Sequence, residues 1–337
     1  DYARGADPVL ETIETVVGEL RAQPEAFTDA RAVVRRTGFG TTRAFELLRQ
    51  HYHATPAELL LHARLAKAKR RLLESDSALA DIAFAAGFES LSGFHDNFLR
   101  YNGLTPAAYR ELKHATACTL RLPPDYAMPY LRRALGRDPQ SVTERLTGNI
   151  YTCAIRLGET PHLLRLTLGP TTVAVTYSGA PGALPGVHAI ATGLLGLDQE
   201  AEAFARLARK LGLARLVSGR PGLRLSQVPS VYDGLLWSII GQQINFPFAC
   251  LLRRRLTELA GTPVADGLIA PPTPAAVAAL DPAALRERQF SRQKADYLIA
   301  ISRLVAGGTL DLAGLRSLSA TRAERTLLAI RGLGPWS

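Results

Sequence analysis

Apolar side chains over residues 8–24, PVLETIETVVGELRAQP, recur every three or four positions, which predicts a helix ended by Pro24. Two short apolar helices follow, ARAVVRR and ALADIAFAA. Each leads into a copy of one pattern. The first copy is TGFGTTRAFELLRQHYHATPAEL and the second is AGFESLSGFHDNFLRYNGLTPAAY. Each has a Gly-Phe turn, a short helix and a later Thr-Pro, and Gly38 and Gly87 suit the sharp turn of a helix-turn-helix. Between them PAELLLHARLAKAKRRLLES predicts one rigid helix carrying Arg64, Lys67, Lys69, Arg70 and Arg71.

The pattern changes over 116–218. CTLRLP, NIYTCAIRL, PHLLRLTLG and TTVAVTYSG are short alternating or β-branched runs and predict a small antiparallel sheet. PYLRRALGRD and QEAEAFARLARKLG predict helices beside it. Tyr126, Met128 and Tyr130 stand near a helix start, where they edge a cleft or fill the core. Over 219–337 the spacing is helical again. SVYDGLLWSIIGQQINFPFACLLRRRL reads as one long apolar helix interrupted at Gly241, Gln242 and Gln243. Two helices with a basic turn, RERQFSRQK, come next, and TRAERTLLAIRGLGPWS reads as helix, hairpin and helix start. The expected fold is mainly α with an α+β middle: a double helix-turn-helix bundle over 1–115, a small antiparallel sheet domain over 116–218, and an all-α helix-hairpin-helix domain over 219–337.

Charge separates these parts. The net charge is +10, from 35 Arg and 5 Lys against 30 acidic residues. Residues 1–115 hold 15 basic and 15 acidic side chains, so the whole excess lies in 116–337. A polyanion-binding surface is therefore expected chiefly in the later two thirds. Cys118, Cys153 and Cys250 are scattered, which argues against a metal cluster or a disulfide framework and fits a reducing compartment. No apolar run reaches the roughly 18 residues of a membrane span. No metal and no cofactor are expected, apart from a monovalent cation at the hairpin.

Two resemblances give these elements a meaning. The paired turns and their joining helix, over residues 8–112, resemble the AraC-type double helix-turn-helix regulators, and GFESLSGFHDNF is similar to their adaptive-response branch. The resemblance implies DNA contacts from Thr41, Thr42, Arg43, Phe45, Arg49, Leu91, Ser92 and His95. Glu46 and Asp96 depart from it, since carboxylates repel phosphates.

GLRL, WSIIGQQIN, FSRQKADYLIAIS and LLAIRGLGPWS, in that order over 117–337, resemble the helix-hairpin-helix DNA glycosylases of the 3-methyladenine DNA glycosylase II type. The resemblance implies flipping of an alkylated base out of the duplex and hydrolysis of its glycosidic bond. It makes Gln243 or Ile244 the wedge that fills the gap, although relatives often carry Leu there. It makes Trp336 the aromatic that stacks on a cationic base, with Trp237 a second candidate that core packing would equally explain. Arg331, Gly332, Leu333 and Gly334 become the phosphate-gripping hairpin. The family's catalytic Asp falls downstream of the hairpin, past Ser337. None of Asp233, Asp266, Asp281, Asp296 and Asp311 matches it, so catalysis is expected from a longer polypeptide than this sequence.

The partners implied are double-stranded and alkylated DNA, without membrane or protein partner, in a bacterial cytoplasm. The alternatives are a transcription regulator of the alkylation response whose C-terminal half only binds damaged DNA, and a non-catalytic scaffold.

Overall fold

The computed structural model describes residues 7–335 and divides into two units. The first comprises the described residues up to Phe98 together with Asp311–Pro335; the second comprises Leu99–Leu310. The division departs from the boundaries read from the sequence. Residues 99–115 group with the sheet, and the hairpin segment groups with the N-terminal helices.

The first unit begins with α1 (Pro8–Ala22), α2 (Ala30–Thr37), α3 (Thr41–Tyr52) and α4 (Pro56–Glu74). Asp7 caps α1, its carboxylate accepting from the Val9 and Leu10 amides. Thr55 and Glu58 form a reciprocal capping box on α4. Ile13, Val16, Val17 and Leu20 on α1 meet Val33, Leu47, Leu48 and Leu60 in one buried cluster. These are the helically spaced apolar positions of the sequence, now joined in one core. The second copy follows as α5 (Leu79–Ala85) and α6 (Leu91–Asn102), with Phe94 and Phe98 fully buried.

Two of the five basic residues expected to make α4 a charged stripe turn inward. Arg64 donates to the Phe27 and Thr28 carbonyls at 2.8 and 2.9 Å, and the Lys67 ammonium pairs with Glu25 at 2.5 Å. Their charge serves the packing of α4 on the segment between α1 and α2.

In the second unit α7 (Pro106–Arg110) leads to β1 (Ala117–Arg121), α8 (Met128–Leu135), β2 (Glu144–Thr147), β3 (Ile150–Leu157), β4 (Thr160–Leu168) and β5 (Thr172–Tyr177). The strands form an antiparallel sheet in the order β1-β5-β4-β3-β2. Then come α9 (Leu184–Leu195) and α10 (Ala201–Lys210). The sequence reading passed over β2, which is a four-residue edge strand. It also missed α9, whose GALPG opening and inner glycines hide a helix that buries His188 and Leu194.

The remaining elements are α11 (Val231–Gly241), α12 (Phe246–Ala260), the short pair β6 (Thr262–Pro263) and β7 (Ile269–Ala270), α13 (Pro274–Ala278), α14 (Pro282–Glu287) and α15 (Arg292–Ala306). α15 packs on α11, α13 and α14. The first unit closes with α16 (Ala320–Leu328), which packs on α3. No helix among the described residues is long and apolar enough to cross a membrane.

Candidate functional site

The segment expected to be one interrupted helix is two helices joined by a tight turn. α11 stops at Gly241 because Gln243 takes a left-handed conformation, with φ of 54°, and Asn245 then caps α12 by accepting from the Phe248 amide at 3.0 Å. Pro247 in the first turn of α12 cannot continue a helix from α11. Gln242 and Gln243 therefore occupy a turn rather than a helix interior. Gln243 is exposed and Ile244 is half-buried, so of these two Gln243 is the more open to solvent. Backbone strain at a bulky residue in an exposed turn is the kind of feature found where a chain presents one side chain.

Lys294 fixes that turn. Its ammonium donates to the Ile239 carbonyl at 2.9 Å and the Gln242 carbonyl at 2.7 Å. These carbonyls end α11, where a cation is favoured. From the sequence Lys294 stands in a basic turn and in the FSRQKADYLIAIS motif, with no role of its own. The signal was present: Ser291 caps α15, accepting from the Lys294 amide, so Lys294 sits in the first turn of its own helix, where a positive charge is disfavoured.

A buried ionic cluster joins α11 and α12 to β2. Arg253 on α12 donates to Glu144 at 2.9 Å, to Thr143 at 2.9 Å and to Asp233 on α11 at 3.3 Å. Burial pushes the Glu144 carboxyl up, but Arg253, Thr143 and Arg137 together hold the group below its ordinary value. Asp233 is thus committed to a buried pair. Trp237 lies against this cluster. Its ring is 5.0 Å from the Arg137 guanidinium and 5.2 Å from that of Arg253, and it stacks on Phe246 with centroids 6.1 Å apart. A ring so engaged is suited to packing α11 on α12.

Part of the basic excess is spent in this way. Arg254 pairs with Asp138 at 2.7 Å, and Arg255 donates to the Arg288 carbonyl at 3.0 Å. The consecutive arginines 253–255 tie the unit together, which narrows the surface that charge alone suggested.

The hairpin follows α16. Gly332 has φ of 100°, which favours glycine, and Leu333 is buried with its amide donating to Ile330. A Cβ at Gly334 would meet nothing within 4 Å, so this position lies open for a close neighbour. Arg331 is exposed. Trp336 lies outside the described residues.

Within the same unit, α16 is held by the N-terminal helices. Glu14 accepts from Ser319 at 2.7 Å and from Arg322 at 2.9 Å, Arg21 donates to the Ser317 carbonyl at 2.5 Å, and His51 meets Thr321 at 2.9 Å. On α3 and α6, Thr41, Thr42, Arg43, Arg49, Leu91 and Ser92 are exposed, while Phe45 and His95 are half-buried. The expected DNA-contacting side chains share the accessible faces of these helices. Arg43 is engaged with Glu46 at 3.6 Å.

Among the described residues no group of three or more His, Cys, Asp or Glu could hold a metal ion.

Comparison with known proteins finds a match to each part. Residues 33–112 match a helix-turn-helix domain family, and residues 236–330 match the HhH-GPD superfamily of base excision DNA repair proteins. A DNA-3-methyladenine glycosylase of Bacillus subtilis is 32% identical over 42% of this chain and 48% of its own length. The chain thus spans about half the length of that relative. DNA-3-methyladenine glycosylase 2 of Escherichia coli is 26% identical over 65% of this chain and 77% of its own. A Mycobacterium tuberculosis protein named "Probable bifunctional transcriptional activator/DNA repair enzyme AlkA" is 26% identical over 89% of this chain and 63% of its own. Among solved structures, a 3-methyladenine DNA-glycosylase from Archaeoglobus fulgidus matches with a TM-score of 0.57 and 21% identity over 65% of this chain and 76% of that one, a likeness of fold.

Proposed function

We propose that this chain, which joins an AraC-type helix-turn-helix module to a HhH-GPD base-excision repair domain, belongs to a DNA glycosylase that removes alkylated bases. The observation that carries the reading is the α11–α12 turn. It stands in the segment matched by the repair family and presents Gln243 in a left-handed conformation. A side chain held out from a rigid turn is what base flipping requires, because the vacated stack must be filled while the nucleotide is extruded. In this reading Gln243 is the wedge, Ile244 supports it, and the hairpin at Arg331–Gly334 receives a phosphate through its backbone. Trp336 would stack on the cationic base, and Trp237 would serve as packing. The substrates are purines such as 3-methyladenine and 7-methylguanine, whose positive charge makes them good leaving groups. The work is done on chromosomal DNA in the cytoplasm.

The test is release of free base from a duplex containing 3-methyladenine by the full-length protein. Gly334→Asp should lower both duplex affinity and excision at least tenfold, because it places charge and bulk where a phosphate approaches. Unchanged affinity of a folded variant removes the hairpin from the interface.

The helix-turn-helix match supports a second reading, a regulator that binds damaged DNA without cutting it. Sequence-selective binding without base release would favour that reading.

A further inference from the structure

We infer that Lys294 is the positioning residue of the wedge: by joining the start of α15 to the C-terminal end of α11, it sets the peptide from which Gln243 projects. The inference rests on the assignment of Gln243 under the proposed function. Three observations converge on it. Lys294 is in the first turn of α15, where its charge opposes the helix dipole, so it gains nothing from its own helix. It reaches instead across to the last carbonyls of α11, one of which, that of Ile239, also accepts from the Gln242 amide at 3.4 Å. One of its two bonds is to the carbonyl of Gln242, the residue directly before the left-handed Gln243. Fixing that carbonyl fixes the plane of the peptide that enters the strained residue. It also limits the rotation that would let Gln243 relax toward an ordinary conformation. Partial burial of the ammonium pushes its pKa down, which shows that the group gave up hydration to sit there.

The chemistry expected of such a residue is specific. Lys294 does not touch the lesion, so it should not change the bond-breaking step on a base that is already out of the stack. It should act on the step in which the wedge replaces the base. Lys294→Met keeps the aliphatic stem and removes the donor. Lys294→Arg keeps a cation that can reach the same carbonyls.

The experiment uses the full-length protein and three readouts. The first is excision of 7-methylguanine from a fully paired duplex, compared with the same lesion in an unpaired bubble, where flipping costs least. The second is affinity for undamaged duplex. The third is the fluorescence of 2-aminopurine in a lesion-free duplex, which rises when the base unstacks and does not depend on excision.

For Lys294→Met the expected result is a kcat at least tenfold lower on paired substrate with KM within about twofold, a loss of less than threefold on the bubble, unchanged affinity for undamaged duplex, and a smaller 2-aminopurine rise. Lys294→Arg should recover most of the kcat. An equal loss on paired and bubble substrates would overturn the inference, as would no loss on either. If the unaltered protein releases no base, the proposed function fails, and the 2-aminopurine arm still decides on Lys294. Should Lys294→Met fail to fold, Lys294→Gln, whose shorter side chain cannot span both carbonyls, carries the test with the same paired-to-bubble comparison and Gln243→Ala as reference. A paired-to-bubble ratio for Lys294→Gln equal to that of the unaltered protein, while Gln243→Ala changes it, would then count against Lys294.

Discussion

The two helix-turn-helix copies share one sequence pattern and use it differently. Both second helices run twelve residues, and both are followed by a left-handed residue, His53 with φ of 54° and Gly103 with φ of 65°. Aligned from that end, Ala44 matches Phe94 and Leu48 matches Phe98, and all four are buried. Aligned at the turn, Gly38 matches Gly87, and the second copy has one residue more before its helix begins. The turn glycines then part company. A Cβ at Gly38 would meet open space, whereas at Gly87 it would lie 2.9 Å from the Glu25 Cα. Gly38 is needed for its backbone angle alone. Gly87 is needed for its angle and for the close passage of another segment. A repeated motif therefore records a repeated local conformation and not a repeated environment.

The largest expected effect breaks the comparison at this point. Gly87→Ala carries a left-handed penalty together with a backbone collision, about 3 kcal/mol in all, while Gly38→Ala carries only the first, about 1 kcal/mol. Urea titration read by hydrogen exchange in α2 and α4 separates the two. Equal losses would mean that the close approach to Glu25 is relieved cheaply.

A second test sharpens the difference within α4. Arg64→Met should cost about 2 kcal/mol, since it strips two carbonyls of a charged donor. Arg70→Met removes an equal charge from an exposed site and should leave stability within about 0.5 kcal/mol while weakening duplex binding. If the two variants lose stability alike, the inward role of Arg64 is wrong.

A smaller effect is expected at the carboxylate beside the proposed DNA contacts of α3. Glu46→Gln removes a repelling charge and releases Arg43, so duplex affinity should rise about threefold at low salt and return toward the starting value as salt screens it. A fall in affinity would show that Glu46 reads a base.

Much of this was legible in the sequence because spacing is local. Helical periodicity gave α1 to α6, alternation gave β1 and β3 to β5, and the paired Gly-Phe turns gave the repeat. The α11–α12 turn was located but read as a break inside a helix, because apolar runs on both sides masked the capping role of Asn245. Lys294 and Arg253 were out of reach for another reason. Their roles depend on partners 52 to 55 and about 110 residues away in the chain, and side-chain type alone does not separate a surface cation from a buried one. The hold of α1 and α3 on α16, joining residues about 300 positions apart, has no local signature at all.

That hold supplies the subtlest difference between the copies. At matched positions of their second helices stand His51 and Tyr101, which fall in different units: within the first His51 meets Thr321, and within the second Tyr101 donates to Glu200. Burial pushes the His51 pKa below 6.5; Asp7 and Glu14 oppose the shift, and Arg325 and Arg43 act with it. The folded unit therefore prefers His51 neutral, while the unfolded chain takes up a proton near pH 6.5. Stability from this site is complete above about pH 6.5 and declines as pH falls from there through the folded-state value. Glu14 responds in a lower window. Burial pushes its carboxyl up, but Arg322 and Ser319 hold it below 4.5. A phenol does not titrate between pH 7.5 and 5.5. Lowering the pH over that range should thus loosen α16, seen as faster hydrogen exchange at Ala323 and Ala329, and leave the Tyr101 end of α6 unchanged. His51→Gln keeps a polar partner for Thr321 and removes the titration, so its exchange rates, corrected for intrinsic chemistry, should be level across the range. Loosening of α16 that persists in His51→Gln would place the pH response on another group and remove this distinction between the copies.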